Sequence, residues 1–167
     1  MEPLKVLVSA CLLGERVRYN GADAACPSEV LERWAAEGRL VPFCPEVAGG
    51  LPVPRPAAEI ETGDGRAVRA GTARVRDRAG RDLTPFVLEG ARRALEAARA
   101  QGVRVAVLKD GSPSCGTAAI HDGTFSGRPR SGPGVSAALL EDAGIRVFSE
   151  RELFEADACL RALEEVR

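Results

Sequence analysis

Lys109-Asp110-Gly111-Ser112-Pro113-Ser114-Cys115-Gly116 follows directly on the apolar run Val103-Arg104-Val105-Ala106-Val107-Leu108. A β-branched run of about six residues bounded by glycine reads as a buried strand, which puts Cys115 in the loop leaving its carboxyl end. Two other cysteines have the same setting: Leu4-Lys5-Val6-Leu7-Val8-Ser9-Ala10 runs into Cys11, and Arg39-Leu40-Val41-Pro42-Phe43 runs into Cys44. In an open parallel sheet, ligands collect at the carboxyl ends of the strands, above all where the strand order reverses. Three thiols are therefore expected to meet there.

Helical segments separate these strands. Pro27 suits a first helical position, with Cys26 at or near the N-cap, Val30, Leu31, Trp34 and Ala35 on one face, and Gly38 as the stop. Thr84 as N-cap and Pro85 at N1 open a second helix, with Phe86, Ala91, Ala94, Leu95 and Ala98 inward and Gly102 as terminator. A third helix is expected from about Val135 to Ala143, then a strand Ile145-Arg146-Val147-Phe148. Ser149 and Glu152 have capping-box spacing for a last helix that packs through Leu153, Leu160 and Leu163. Between Ala58 and Asp82, the pieces Glu59-Ile60-Glu61 and Ala73-Arg74-Val75-Arg76 read as a β-hairpin excursion with turns at Gly63-Asp64-Gly65 and Ala79-Gly80. Asp122-Gly123 carries the signature of a tight hairpin. Four strands alternating with helices predict an α/β fold: a three-layer Rossmann/flavodoxin-like domain with a mostly parallel sheet of about four strands, order 2-1-3-4, and inserted β-hairpins. One domain over residues 1–167 is expected, with a core of about 4–150 and a C-terminal helix of about 150–166.

The 23 basic and 24 acidic side chains are spread along the chain. That leaves no basic stripe for a nucleic acid duplex. The start, Met1-Glu2-Pro3-Leu4-Lys5, lacks a basic segment followed by a long apolar one, and no apolar run approaches membrane-spanning length, so a cytoplasmic protein without a membrane partner is expected. Five cysteines in a reducing compartment read as core residues, reactive thiols or metal ligands, not a disulfide framework. Arg outnumbers Lys, with Asn20 the only Asn and Gln101 the only Gln. Scarce heat-labile amides point to a thermophilic source, although GC-rich codon usage also produces an Arg bias.

Cys11, Cys44 and Cys115 match no zinc ribbon, thioredoxin dithiol or ferredoxin run. Isolated cysteines are most often small buried hydrophobes. Here all three follow strands and are flanked by Pro, Gly or Ser loops, which favours ligation. Three soft thiolates with no local His or fourth Cys suit an iron–sulfur cluster that keeps one iron open, whereas structural zinc wants a fourth protein ligand. Cys26 and Cys159 read as structural. Glu46, two residues past Cys44, is a candidate proton carrier, set against the plain reading of a solvated loop carboxylate. Ser112 and Ser114 are candidate hydrogen-bond donors to a cluster sulfur or a substrate, though serine also simply favours turns. The four prolines between positions 45 and 56 suit a rigid wall. Gly132-Pro133-Gly134 reads as a loop and helix start, and the lone His121, on a hairpin, gives no Ser/His hydrolase.

Four stretches also carry a resemblance: Val8-Ser9-Ala10-Cys11-Leu12-Leu13-Gly14 with Val17-Arg18-Tyr19-Asn20-Gly21; Cys44-Pro45-Glu46-Val47-Ala48-Gly49-Gly50-Leu51 with Pro54-Arg55; Ser112-Pro113-Ser114-Cys115-Gly116; and Asp122-Gly123-Thr124-Phe125-Ser126-Gly127. Together they resemble the bacterial domain-of-unknown-function 523 family, whose characterised members are thiouracil desulfurases. The resemblance runs from Val6 to about Glu150. It implies a [4Fe-4S] cluster on Cys11, Cys44 and Cys115, with the open iron binding the sulfur of a small thiolated substrate that is hydrolysed without net redox chemistry. It also implies that Glu46 moves protons and that Ser112 places substrate or water. A cluster with an exposed iron is oxygen-labile, so protein prepared in air is expected to lose it. Ser9, Arg18, Tyr19, Asn20, Arg55 and Ser114 are candidate substrate contacts by loop position. The alternatives are a non-catalytic iron–sulfur or sulfide-binding module and a zinc-binding domain.

Overall fold

Every residue of Val6–Ser9 and of Val105–Leu108 is buried, as strands covered on both faces must be. In this computed structural model, which describes residues 2–167, those segments are the centre of a parallel sheet. In chain order the elements are β1 (Val6–Ser9), α1 (Glu29–Ala36), β2 (Leu40–Phe43), α2 (Pro45–Ala48), β3 (Ala58–Ile60), α3 (Gly65–Arg69), β4 (Val75–Asp77), α4 (Thr84–Ala100), β5 (Val105–Leu108), β6 (Ala119–His121), β7 (Pro129–Ser131), α5 (Val135–Asp142), β8 (Arg146–Ser149) and α6 (Leu153–Glu165). The main sheet has the order β2-β1-β5-β8 with every pair parallel. This is the expected order, and its reversal falls between β1 and β5.

Period-two alternation makes the three layers. Val6, Val8, Val105 and Val107 pack with Val30, Leu31, Trp34, Ala156 and Leu160, so α1 and α6 cover one face. Leu7, Ala106 and Leu108 pack with Ala94, Leu95, Ala98 and Leu140, so α4 and α5 cover the other. Arg39, 4% exposed, pins α6 at the base: its Nη1 and Nη2 donate to the two Glu164 oxygens at 2.9 and 3.1 Å. No described helix is long and apolar enough to cross a membrane.

Several local expectations are corrected. Ser28 caps α1, its hydroxyl accepting from Val30 N at 3.1 Å, so Pro27 and Cys26 lie ahead of the helix; Ala35 is exposed. A hydroxyl that satisfies an orphan N–H outweighs the preference of proline for the first turn. Thr84 lies inside α4, and its hydroxyl accepts from Val75 N across to β4. Phe86 is exposed and Val87 takes the inward place. Gly63-Asp64-Gly65 is a helix start, with the Asp64 carboxylate accepting from Arg66 N and Ala67 N, so α3 interrupts the expected hairpin between β3 and β4. Asp122-Gly123 does not close a two-residue turn: His121 pairs with Pro129, and residues 122–128 loop out. The Ser149 and Glu152 bond forms, Ser149 N donating to Glu152 Oε1, but one turn ahead of α6. The proline-rich stretch begins as the short helix α2, and Pro45, Glu46 and Arg55 of that stretch line the cavity described below.

Two glycines set α2 against α4. A Cβ on Gly90 would stand 2.0 Å from Pro45 O, and one on Gly49 would stand 2.1 Å from Phe86 O. Gly90→Ala is therefore expected to push α2 outward and destabilise the fold by about 1–3 kcal/mol, the usual cost of overpacking. Urea unfolding checks this, and an unchanged midpoint would mean that α2 yields freely.

Candidate active site

One cavity of about 330 Å³ opens above the carboxyl ends of β1, β2 and β5 and is lined by Cys11, Cys44 and Cys115. Its volume lies within the range of small-molecule sites. Cys11 sits in a 3₁₀ turn, Ala10–Leu13, that continues β1 and is closed by Gly14 at φ 94°. Cys44 is the N-cap of α2. Cys115 is held by Ser112, whose Oγ accepts from Cys115 N at 2.7 Å and Ser114 N at 3.0 Å. The loop after β5 is wrapped around the buried Asp110 carboxylate, whose Oδ1 accepts from Gly111 N, Thr117 N and Ala119 N at 3.1, 2.9 and 3.2 Å. Ser9 ties the two central strand ends together, its Oγ accepting from Lys109 N at 2.9 Å.

The three thiols feel one another. Burial, then the neighbouring Cys44, pushes the Cys11 thiol up to about 11, while Arg18 and Lys109 pull it down. Burial raises Cys44, opposed by the Val47 N–H at the start of α2. Burial raises Cys115 further, with added repulsion from Cys44 and Glu46 and some relief from the Ser9 hydroxyl. Without a bound cation the three thiols stay protonated at neutral pH, so any metal group that takes them as thiolates must displace their protons.

All five cysteines are free, and Cys26 and Cys159 pack against the core under α1 and α6, away from the cavity. Among the described residues, no three His, Cys, Asp or Glu are grouped to hold a single metal ion. Tetrahedral zinc, with Zn–S about 2.3 Å, draws its sulfurs close together. A four-iron cluster takes one thiolate per iron, so its ligands stand as far apart as the cluster is wide. Three soft thiols on three loops around one cavity fit that larger group.

Glu46 lines the same cavity. Burial raises its carboxyl above the ordinary range, opposed by Arg55 and a hydrogen bond from Ser112. Arg55, buried itself, donates from Nη1 to Pro52 O and from Nη2 to Val17 O, both at 3.0 Å, while its Nε stands 3.6 Å from Glu46 Oε1. That is an ion-pair distance rather than a hydrogen bond, and Arg55 Nε has no other partner among the described residues.

Ser9, Arg18, Tyr19, Arg55, Glu46 and Ser112 all line the cavity. Asn20 and Ser114 do not. Asn20 is exposed and closes its own turn, Oδ1 accepting from Ala22 N at 3.0 Å. Ser114 is fully buried, with its Oγ 2.7 Å from Ser136 Oγ. Glu59, Arg78, His121 and Phe125 also line the cavity, and none of them was a candidate site residue from the sequence. Of the four, only Phe125 falls in the stretch Asp122–Gly127, which reads as a tight hairpin and as part of the family resemblance.

A model of the 2-thiouracil desulfurase family matches residues 6–152. The uncharacterized protein YbbK of Bacillus subtilis (strain 168) is 46% identical over 148 residues, which is 89% of this chain and 97% of that protein. The solved structure of TudS, described as a [4Fe-4S]-dependent thiouracil desulfidase, is similar with a TM-score of 0.87 and 46% identity, covering 95% of this chain and 99% of that one. With the fold shared throughout and the matched span containing all three strand-end cysteines, the chain belongs to the 2-thiouracil desulfurase family.

Proposed function

We propose that this protein is a [4Fe-4S]-dependent desulfurase, its cluster held by Cys11, Cys44 and Cys115, that converts the thiocarbonyl of a small thiolated pyrimidine or similar compound to a carbonyl by hydrolysis. The observation that carries this reading is the convergence of the three cysteines, Glu46 and Ser112 on one cavity at the switch point of the sheet. When bound, a cluster with three protein ligands supplies an open iron, a Lewis acid suited to a soft thiocarbonyl sulfur.

The chain's own groups supply the rest. Thiocarbonyl plus water gives carbonyl plus hydrogen sulfide, with no change in electron count, so the protein has only to move protons and hold geometry. Glu46 takes a proton from the attacking water at its carboxylate and returns one to the departing sulfur. Arg55 fixes that carboxylate from the side. The Ser112 oxygen already accepts from two backbone N–H groups, which leaves its hydroxyl proton free to point at Glu46. Arg18 and Lys109 place positive charge beside Cys11, which favours its thiolate form for holding the cluster.

Anaerobic reconstitution followed by the absorption spectrum, iron and sulfide counts, and sulfide release from 2-thiouracil, 4-thiouracil and thiolated nucleosides tests this. A full cluster with turnover is expected. A full cluster that releases no sulfide from any of them would make the protein a non-catalytic sulfide-binding module, and colourless anaerobic protein carrying zinc alone would overturn the cluster.

A further inference from the structure

The stretch Asp122-Gly123-Thr124-Phe125-Ser126-Gly127 has no part in holding a cluster or moving protons, yet Phe125 and Gly127 line the cavity. Phe125 adopts φ 56°, a left-handed conformation uncommon for a bulky residue. It is held there from three sides. The buried Glu59 carboxylate, 7% exposed, accepts through Oε1 from Gly123 N at 2.9 Å and Phe125 N at 3.2 Å. Arg78 Nη2 donates to Phe125 O at 3.2 Å. The guanidinium carbons of Arg76 and Arg78 lie 5.5 and 5.6 Å from the ring centroid. Gly123 brings the loop down on β3, where a Cβ would meet Ile60 O and Glu61 O at 2.5 Å.

We infer that Phe125 is the wall on which the flat ring of the substrate stacks, and that Glu59 is the positioning residue that sets it; this rests on the desulfurase reading. A conjugated heterocycle offers a π-face whatever its substituents, and an aromatic side chain is its natural partner. The other aromatics of the cavity suit the task less: Phe43 packs into the core under α4 and α5, and Tyr19 is 42% exposed. A ring already clamped loses little freedom when it binds, so its contact goes into affinity. The ring comes from the loop between β6 and β7, and it favours flat thiocarbonyls.

The test uses anaerobically reconstituted protein with matched iron content and two readouts, steady-state kinetics on 2-thiouracil and binding of uracil by saturation-transfer NMR, which needs no turnover. Phe125→Ala and Phe125→Leu, the latter keeping apolar volume without a ring, are expected to raise KM roughly 5- to 150-fold and weaken uracil binding alike, with kcat nearly unchanged, as loss of one stacked ring does. Phe125→Tyr restores both. Glu59→Ala follows Phe125→Ala, and Glu59→Gln, which keeps an acceptor oxygen, restores the wild-type values. Unaltered KM and uracil binding in Phe125→Leu, or a loss confined to kcat, overturns the wall. Uracil binding that depends on Phe125 in a wild-type protein that releases no sulfide supports the wall and overturns the desulfurase reading alone.

Discussion

Cys115→Ser is expected to yield a folded protein that assembles no complete cluster and releases sulfide only at background rate. A hydroxyl replaces a soft thiolate at a position that iron–sulfur centres reserve for sulfur. No other thiol can stand in, because Cys26 and Cys159 are half-buried against the core near α1 and on α6 and do not line the cavity. The loop itself should survive, since Cys115 is held by its backbone N–H on Ser112 Oγ and the loop around it by Asp110. The new hydroxyl also has the Ser9 hydroxyl beside it, so the cost in stability stays within the roughly 1–3 kcal/mol of an imperfectly paired buried polar group. Cys11→Ser and Cys44→Ser should behave alike, whereas Cys26→Ser and Cys159→Ser should keep full iron and full turnover. Iron and sulfide counts beside far-ultraviolet circular dichroism read the result. Wild-type iron in Cys115→Ser would remove that residue from the ligand set and overturn the three-cysteine ligation.

The half of the site made by strand ends was legible in the sequence because it follows from one-dimensional signals. Short, β-branched runs such as Val105–Leu108, bounded by glycine, read as buried strands, and a cysteine in the loop that leaves such a run falls at the strand's carboxyl end. The strand order follows from the alternation of elements and the usual handedness of crossovers. Capping was less legible, because Asp and Gly serve both turns and helix starts. Gly63-Asp64-Gly65 is a turn in isolation, and it becomes the start of α3 because Val68 finds a place in the core with Ile60 and Val135. The rest of the cavity lining was hardly legible: Asp122–Gly127 carried a resemblance but no role, and Glu59 and Arg78 carried no signal of a place in the site. Asp122-Gly123 would close a tight hairpin on local chemistry, but the Glu59 carboxylate, 64 residues away, takes the Gly123 N–H and opens the loop. Asn20 and Ser114 failed as site residues for a related reason, since each sits in a functional stretch yet spends its side chain on the loop's own turn or on Ser136.

Glu46→Gln is expected to keep the cluster and lose most of the turnover, by about a hundred- to ten-thousandfold, the span of a general acid–base group. The amide fills the same volume, so α2 keeps its seat on Gly90 and Cys44 keeps its position as N-cap. Arg55 loses its ion-pair partner at 3.6 Å but keeps its bonds to Pro52 O and Val17 O, so the pocket does not collapse around the change. What disappears is a group able to take a proton from water and give one to sulfur. Ser112→Ala is a poorer probe of the same chemistry, because the Ser112 oxygen also holds the turn that presents Cys115; its loss would mix proton transfer with ligand placement. Glu46→Gln separates the two when turnover is normalised to iron. Turnover at the wild-type level with wild-type iron would leave Glu46 as nothing more than a counter-ion for Arg55.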